Sequence, residues 1–225
     1  MSGADTPGPE AGAPVLDHLV YATPDLDRTV AEVAELTGVR PVLGGGHPGR
    51  GTRNHLLGLG SGGYLEIIGP DPAQPEPARP RWFGIDALDG PRLVTWAVRV
   101  TGIAGRVARA RAAGYDPGDP VAMSRRTPDG TELAWRLTPP GAGGDLAPFL
   151  LDWGDTPHPA GAGLPAVPLL SLSATHPDPA AVRAAWAALG VRWPGAPIVE
   201  GPVRLTAVVA GRHGPVAFGR GTAAR

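Results

Sequence analysis

Two side chains in this 225-residue chain occupy segments that otherwise read as buried strands. His18 lies within VLDHLVYAT, and Glu66 lies between Leu65 and Ile67 in YLEII. An imidazole titrates near neutrality, so a histidine in such a place is either a ligand or proton carrier, or a core histidine satisfied by one hydrogen bond. A carboxylate in an apolar strand is costly unless it is paired or faces a wet cavity. Glu is also disfavoured in strands, so the alternative is an edge-strand charge. If both side chains face one cavity, they form a proton-transfer pair that needs no metal. A desolvated glutamate with a raised pKa acts as general base toward a carbon acid or a ring-opening step, and the histidine orients or relays the proton.

Other residues have two readings each. Asn54 lies between Arg53 and His55, so strand alternation turns it opposite to both. It orients a substrate carbonyl or hydroxyl, or it is a strand-edge amide bonded to a loop. His55 reads as surface or packing, and His47, in the Gly/Pro run GGGHPGRG, as an exposed loop residue. His158, in DTPHPAG, folds back over a cavity mouth or is a plain loop residue. Trp96, Trp135 and Trp153 are core residues or pocket walls. The pair Arg125–Arg126 clamps an acidic substrate or, as the favoured reading, carries solvated strand-end charge.

Composition closes other routes. The chain has no Cys, which excludes disulfides, thiolate metal sites and a cysteine nucleophile. It has no Lys, so all 20 basic residues are Arg, and Schiff-base and phosphate-loop lysines are excluded. A formal net charge of −1 does not suit a protein that lives on a phosphate backbone. No apolar stretch reaches the ~18 residues of a membrane span. The glycine-rich runs GGGHPGRG and GSGG lack nucleotide-loop spacing and read as turns. The opening MSGADTPGPEAGAP has neither a basic start nor an apolar core, so no secretory signal is expected. A disordered leader over residues 1–14 and a cytoplasmic location are the default.

Elements must now be found to position these groups. Gly (34) and Pro (28) exceed a quarter of the chain, which fits many short elements joined by turns. Residues 15–23 read as a strand with Leu16, His18, Val20 and Ala22 on one face. Thr23-Pro24-Asp25 then opens a helix, Leu26, Val30, Val33 and Leu36 fall at helical spacing, and Gly38 ends it. Three strands follow, over 40–43, 52–59 and 64–68. The same order begins again at Arg92 and, more weakly, at Leu169, so strand starts at Val15, Leu93 and Leu169 recur at nearly equal intervals. The proline-rich linker 71–91 carries Trp82, Phe83 and Ile85, residues of buried type, and is either a spacer or a lid.

Strand–helix–three-strand repeats are the ground plan of the vicinal oxygen chelate superfamily. LDHLVYATPDLDRTVAEV and GTRNHLLGLGSGGYLEIIGPDP resemble its glyoxalase-like members, as do PDGTELAWRL and PFLLDWGDTPHPA later in the chain. The resemblance covers residues 15 to about 160. It implies an α+β fold of repeated βαβββ modules whose curved mixed sheets enclose a central cavity. The paired modules span about 15–71 and 92–154, and a third, degenerate module packs on them over 168–219.

In metal-using members the ion is held by the first and last strands of each module. The resemblance puts His18 and Glu66 at those positions in the first module. In the second, the same alignment gives Trp96 and Leu151, with Asp152 one residue off. That is half a ligand set, for Zn, Ni, Mn or Fe if any divalent ion binds, with metal-free chemistry an equal expectation. Asp152 substitutes only if its strand bulges. A Trp96 ring in the ligand position would line the pocket and favour a flat apolar substrate. The expected site is therefore His18 and Glu66 as catalytic or metal-binding groups, with Asn54, Trp96, Trp135 and Asp152 on the substrate. The implied function is lyase- or isomerase-type chemistry on a small molecule, or non-catalytic sequestration in the same fold. Nucleic-acid and membrane partners are not expected, and the chain is a monomer or a homodimer.

Overall fold

The structure is a computed structural model that describes residues 12–60, 62–141, 146–219 and 221–224. Of the leader expected over 1–14, residues 1–11 lie outside the described residues.

The first strand, β1 (Val15–Ala22), runs into α1 (Leu26–Thr37). Asp25 caps the helix by accepting a bond from the Arg28 amide, and Gly38 closes it at φ 74°, a left-handed turn that favours glycine. Leu26, Val30 and Val33 are buried, so the helical spacing marks its packed face. Then come β2 (Val42–His47), β3 (Thr52–Gly58) and β4 (Tyr64–Pro70). The second repeat is β5 (Arg92–Arg99), α2 (Ile103–Ala112), β6 (Val121–Arg126), β7 (Glu132–Leu137) and β8 (Phe149–Asp152).

These eight strands close into one barrel in the order β1-β4-β3-β2-β6-β7-β8-β5. The repeats meet along two joints. One is an extensive antiparallel pairing of β1 with β5. The other is narrow, with Gly46 of β2 opposite Arg126 of β6 as its single paired position. Glycine is required there. A side chain on Gly45, at φ 140°, would overlap the Arg126 carbonyl.

The third repeat is β9 (Leu169–His176), α3 (Pro179–Ala188), β10 (Val199–Glu200), β11 (Arg204–Gly211), β12 (Gly214–Gly219) and β13 (Gly221–Ala224). It opens strand–helix like the others, but four strands follow where three were expected, and its pairing differs. In the first two repeats the opening strand pairs in parallel with the last one, β1 with β4 and β5 with β8. Here β9 lies between the two-residue β10 and the antiparallel β11, in a separate five-stranded sheet.

The core therefore has two compartments. One fills the space between the outer face of the barrel, the helices and the five-stranded sheet, with Leu19, Tyr21, Leu65 and Trp96 from the barrel and Trp186 and Phe218 from beyond it. The other is inside the barrel and includes Val20, Ile68, Ala97, Phe149 and Leu151. Strands covered on both faces read as continuous apolar runs, which is why YLEII has no polar alternation. Among the described residues no helix is long and apolar enough to cross a membrane.

Candidate functional site

The interior of the barrel holds a cavity of about 610 Å³, counted to its open mouth. His18, Asn54, Glu66 and Trp135 all line it. His18 is 3% exposed and Glu66 8%, and His18 Nε2 lies 3.6 Å from Glu66 Oε2. They come together because β1 and β4 are parallel neighbours with His18 paired to Tyr64 and Val20 to Glu66, so both side chains fall on the inner face.

Each member of the pair is held from behind. Asn54 on β3 donates from Nδ2 to Glu66 Oε1 at 2.6 Å, which leaves Oε2 turned to His18. His18 Nδ1 lies 2.6 Å from Asp17 Oδ1. Successive strand residues normally face opposite ways, but β1 bulges here. Leu16 is opposite Val98 and His18 opposite Ala97, so Asp17 is the extra residue. The carboxylate of Asp17, fully buried, also accepts from Trp153 Nε1 at 2.9 Å and meets His158 Nε2 at 3.0 Å. Leu16 correspondingly packs on the outer core and not on the face of His18.

The electrostatics follow from these contacts. Burial opposes the charge on Asp17, but the bonds to His158 and His18 outweigh it and hold the carboxyl far below its ordinary range. An ionised carboxylate only accepts, so Nδ1 of His18 carries the hydrogen and Nε2 faces the cavity. Burial also opposes the charge on His18. The bond to Asp17 and the negative charges of Glu66 and Asp17 overcome it, and the pKa rises above 6.5. The ring is fixed between Tyr64, stacked at 4.9 Å, and the edge of Phe149 at 5.5 Å.

Other expected residues lie elsewhere. Trp96 is fully buried outside the barrel, against Trp193 at 5.0 Å and Trp186 at 6.0 Å, with Nε1 donating to the Leu146 carbonyl. The β1–β5 register explains this. Ala97, not Trp96, is paired with His18, so the alignment was one residue out and the face reversed. Leu151 does line the cavity, and Asp152 turns away to accept from the amides of Ile103 and Gly154.

Two side chains expected in solvent, His47 and Arg125, line the cavity, and Arg50 joins them. His47 is 5% exposed, because β2 continues through the glycine run, and its Nε2 is 4.0 Å from Glu66 Oε1. Burial, joined by the charges of Arg125 and Arg50, lowers its pKa against the pull of Glu66. Arg125 is 5% exposed on the inner face of β6, next to the exposed Arg126. Arg50 stacks over Trp82, 4.3 Å from the ring centroid. Trp82 and Phe83 lie in a short 3-10 segment, Trp82–Ala87, that covers the cavity, with Phe83 at φ 63°. The linker 71–91 thus contributes two aromatic side chains to the cavity wall. Asp17 was the wholly missed residue, and no pattern in the sequence announces a bulge.

A divalent ion fits these donors poorly. The register equates His18 with Ala97 and Glu66 with Leu151 in the second repeat, and neither residue offers a donor atom. His18 and His47 address different oxygens of Glu66, one of which is already bonded to Asn54. Among the described residues no three His, Asp or Glu side chains are grouped to hold an ion.

Residues 16–190 match the family model for a glyoxalase-like domain. No curated protein matches the chain. Among solved structures, a hypothetical protein from Staphylococcus aureus is similar at 13% identity and TM-score 0.56, over 91% of this chain and 84% of that one. Methylmalonyl-CoA epimerase from Mycobacterium tuberculosis is similar at 20% identity and TM-score 0.40, over 62% of this chain and 87% of that one. The Streptomyces coelicolor epimerase in complex with 2-nitronate-propionyl-CoA is similar at 18% identity and TM-score 0.41, over 66% and 100%. At these identities the likeness is one of fold alone.

Proposed function

The chain belongs to the glyoxalase-like domain family of the vicinal oxygen chelate superfamily, and from that membership we propose a small-molecule enzyme of isomerase or lyase type that moves a proton at a carbon next to a carbonyl. The supporting observation is the His18 Nε2–Glu66 Oε2 approach of 3.6 Å inside an aromatic cavity. A carbon acid bound in the cavity beside the pair meets a carboxylate and an imidazole that approach it from the same wall. Glu66, turned by Asn54, takes the proton. Charge then develops on the carbonyl oxygen, where the His18 imidazolium, held charged by Asp17, stabilises it by a hydrogen bond, and the proton on Glu66 goes back to carbon, which restores both groups. No step needs an ion.

The test is solvent exchange. Ketones, aldehydes and keto acids are incubated with the protein in D2O, and loss of the α-proton signal is followed by NMR. The wild type exchanges at least one of them. Glu66→Gln slows exchange by about 10²- to 10⁴-fold, the usual worth of a general base, with affinity nearly unchanged. A second reading, a pocket that sequesters a drug or metabolite, is favoured by Ala97 and Leu151, which add no further acid or base beside His18 and Glu66. It requires that no product ever forms and that Glu66→Gln changes affinity only.

A further inference from the structure

We propose that the cavity takes its small molecule by a carboxylate group, received by Arg125 and the indole N–H of Trp135. The proposal rests on reading the cavity as a small-molecule site, and adds the chemical class of what enters.

Arg125 is a charge the fold has buried without a partner of opposite sign. Its Nη1 donates to the Gly44 carbonyl across the narrow joint between β2 and β6. Among the described residues no carboxylate comes within ion-pair distance of it. A guanidinium has five N–H donors in a planar fork, and one backbone carbonyl leaves most of that fork unspent. A charge so placed is strongly unfavourable unless something pairs with it. Burial duly works against its protonation, while the negative charge of Glu66 favours it.

A second donor on the same wall points the same way. Trp135 is 8% exposed, and its Nε1 has no hydrogen-bond partner among the described residues. Buried indole N–H groups nearly always have one. The polar lining is also unbalanced. Arg125, Arg50 and a His18 of raised pKa meet two carboxylates, Glu66 on the cavity and Asp17 behind His18, which leaves a positive charge in excess. Glu66 is already engaged by Asn54 and His18, so an anion must come with the ligand. Arg125 and Trp135 offer a forked cation and one neutral donor, which suits two carboxylate oxygens. Phosphate would bring about two charges and three acceptor oxygens, and among the described residues neither a helix N-terminus nor a glycine nest lies on the cavity wall to meet them. Trp82, Phe83, Phe149 and Trp153 supply flat apolar walls, so the acid carries an aryl or bulky alkyl group.

The experiment uses the full chain and calorimetric titration with benzoate, phenylpyruvate, benzamide and phenyl phosphate. The expected result is that one of the two acids binds and benzamide binds at least tenfold more weakly. Arg125→Gln weakens the acid at least tenfold, and Trp135→Phe weakens it several-fold while keeping most of the ring. Arg125→Lys, which keeps charge and loses the fork, falls between. Circular dichroism verifies folding, and if Arg125→Gln is unfolded the Lys and Phe variants decide. Equal binding of benzamide, tighter binding of phenyl phosphate, no binding of either acid, or variants that bind as wild type each overturn the proposal. Acid binding that persists in Glu66→Gln without any proton exchange by the wild type removes the enzymatic reading and leaves this one. Exchange on neutral ketones that is indifferent to Arg125 does the reverse.

Discussion

Asp17 and His18 are consecutive in β1 and yet bond to one another, with Asp17 Oδ1 2.6 Å from His18 Nδ1. A regular strand forbids this, since neighbours face opposite sides. The bulge at Asp17 permits it by breaking the alternation of the strand at that residue. The carboxylate fixes the tautomer of the imidazole and raises its pKa, so Nε2 meets the cavity as a proton donor. A local backbone irregularity thereby sets the acid of the proposed acid–base pair.

Asp17→Asn is expected to lower the His18 pKa. The remaining burial opposes protonation, and only Glu66 still favours it. In the wild type the reactive form has Glu66 ionised and His18 protonated, so the alkaline limb of kcat/KM for proton exchange lies above pH 6.5. In the variant that limb moves to lower pH. The His18 ring can be followed directly by NMR of its Cε1–H. A limb and a titration that stay in place would separate Asp17 from the chemistry.

Stability should depend on pH from both sides. His18 has a folded pKa above 6.5, so its contribution is complete below 6.5 and is lost as pH rises through the folded value. His47 is the opposite case. Its folded pKa is depressed, so its contribution is present above 6.5 and is lost as pH falls through the folded value. Asp17, depressed much further, adds a loss that starts only below about pH 3.8. His18→Gln is therefore expected to flatten the alkaline side of the Tm profile, and His47→Gln the side just below pH 6.5. Unchanged slopes in both would mean that neither ring titrates inside the fold.

The repeats were legible because each one writes the same physics twice: a helix with apolar residues at 3.6 spacing, ended by a glycine, followed by strands too apolar to be exposed. Glu66 was legible because a carboxylate in YLEII needs a cavity to justify it. The register was not. The likeness of LVTWAVRVT to LDHLVYAT sets Trp96 against His18, and a slip of one position reverses a side chain's face. His47 was hidden by its glycines, which look like a turn and serve instead to let β2 pass close to Arg126. Arg125 was hidden by its charge, which sequence logic assigns to solvent.

Trp96 offers a direct check on that register. It lies between the barrel and the C-terminal sheet, edge-to-face with Trp186 and Trp193, and not on the cavity. Trp96→Ala should cost about 3–5 kcal/mol in chemical denaturation, as other large buried aromatics do. Trp96→Phe should cost less, keeping part of the packing and losing the bond to Leu146. Neither should change affinity for an acid held by Arg125. A large loss of affinity in the folded Phe variant would put Trp96 back at the ligand.

The donor set leads to one more expectation, about metals. A catalytic ion usually needs about three protein ligands converging on one point. Here the second repeat presents Ala97 and Leu151 where the first presents His18 and Glu66, and the Nδ2 hydrogens of Asn54 face the Glu66 carboxylate. An ion entering beside Glu66 would also meet the positive charge of Arg125, which shares its cavity. The purified protein should therefore melt at the same temperature after chelation and after addition of Zn, Ni, Mn or Fe. By contrast, a ligand specific for the folded state at 100 times its dissociation constant adds about 2.7 kcal/mol. A stoichiometric metal by elemental analysis, lost in His18→Ala, would show that His18 and Glu66 hold an ion after all and would replace the acid–base pair with metal-assisted chemistry.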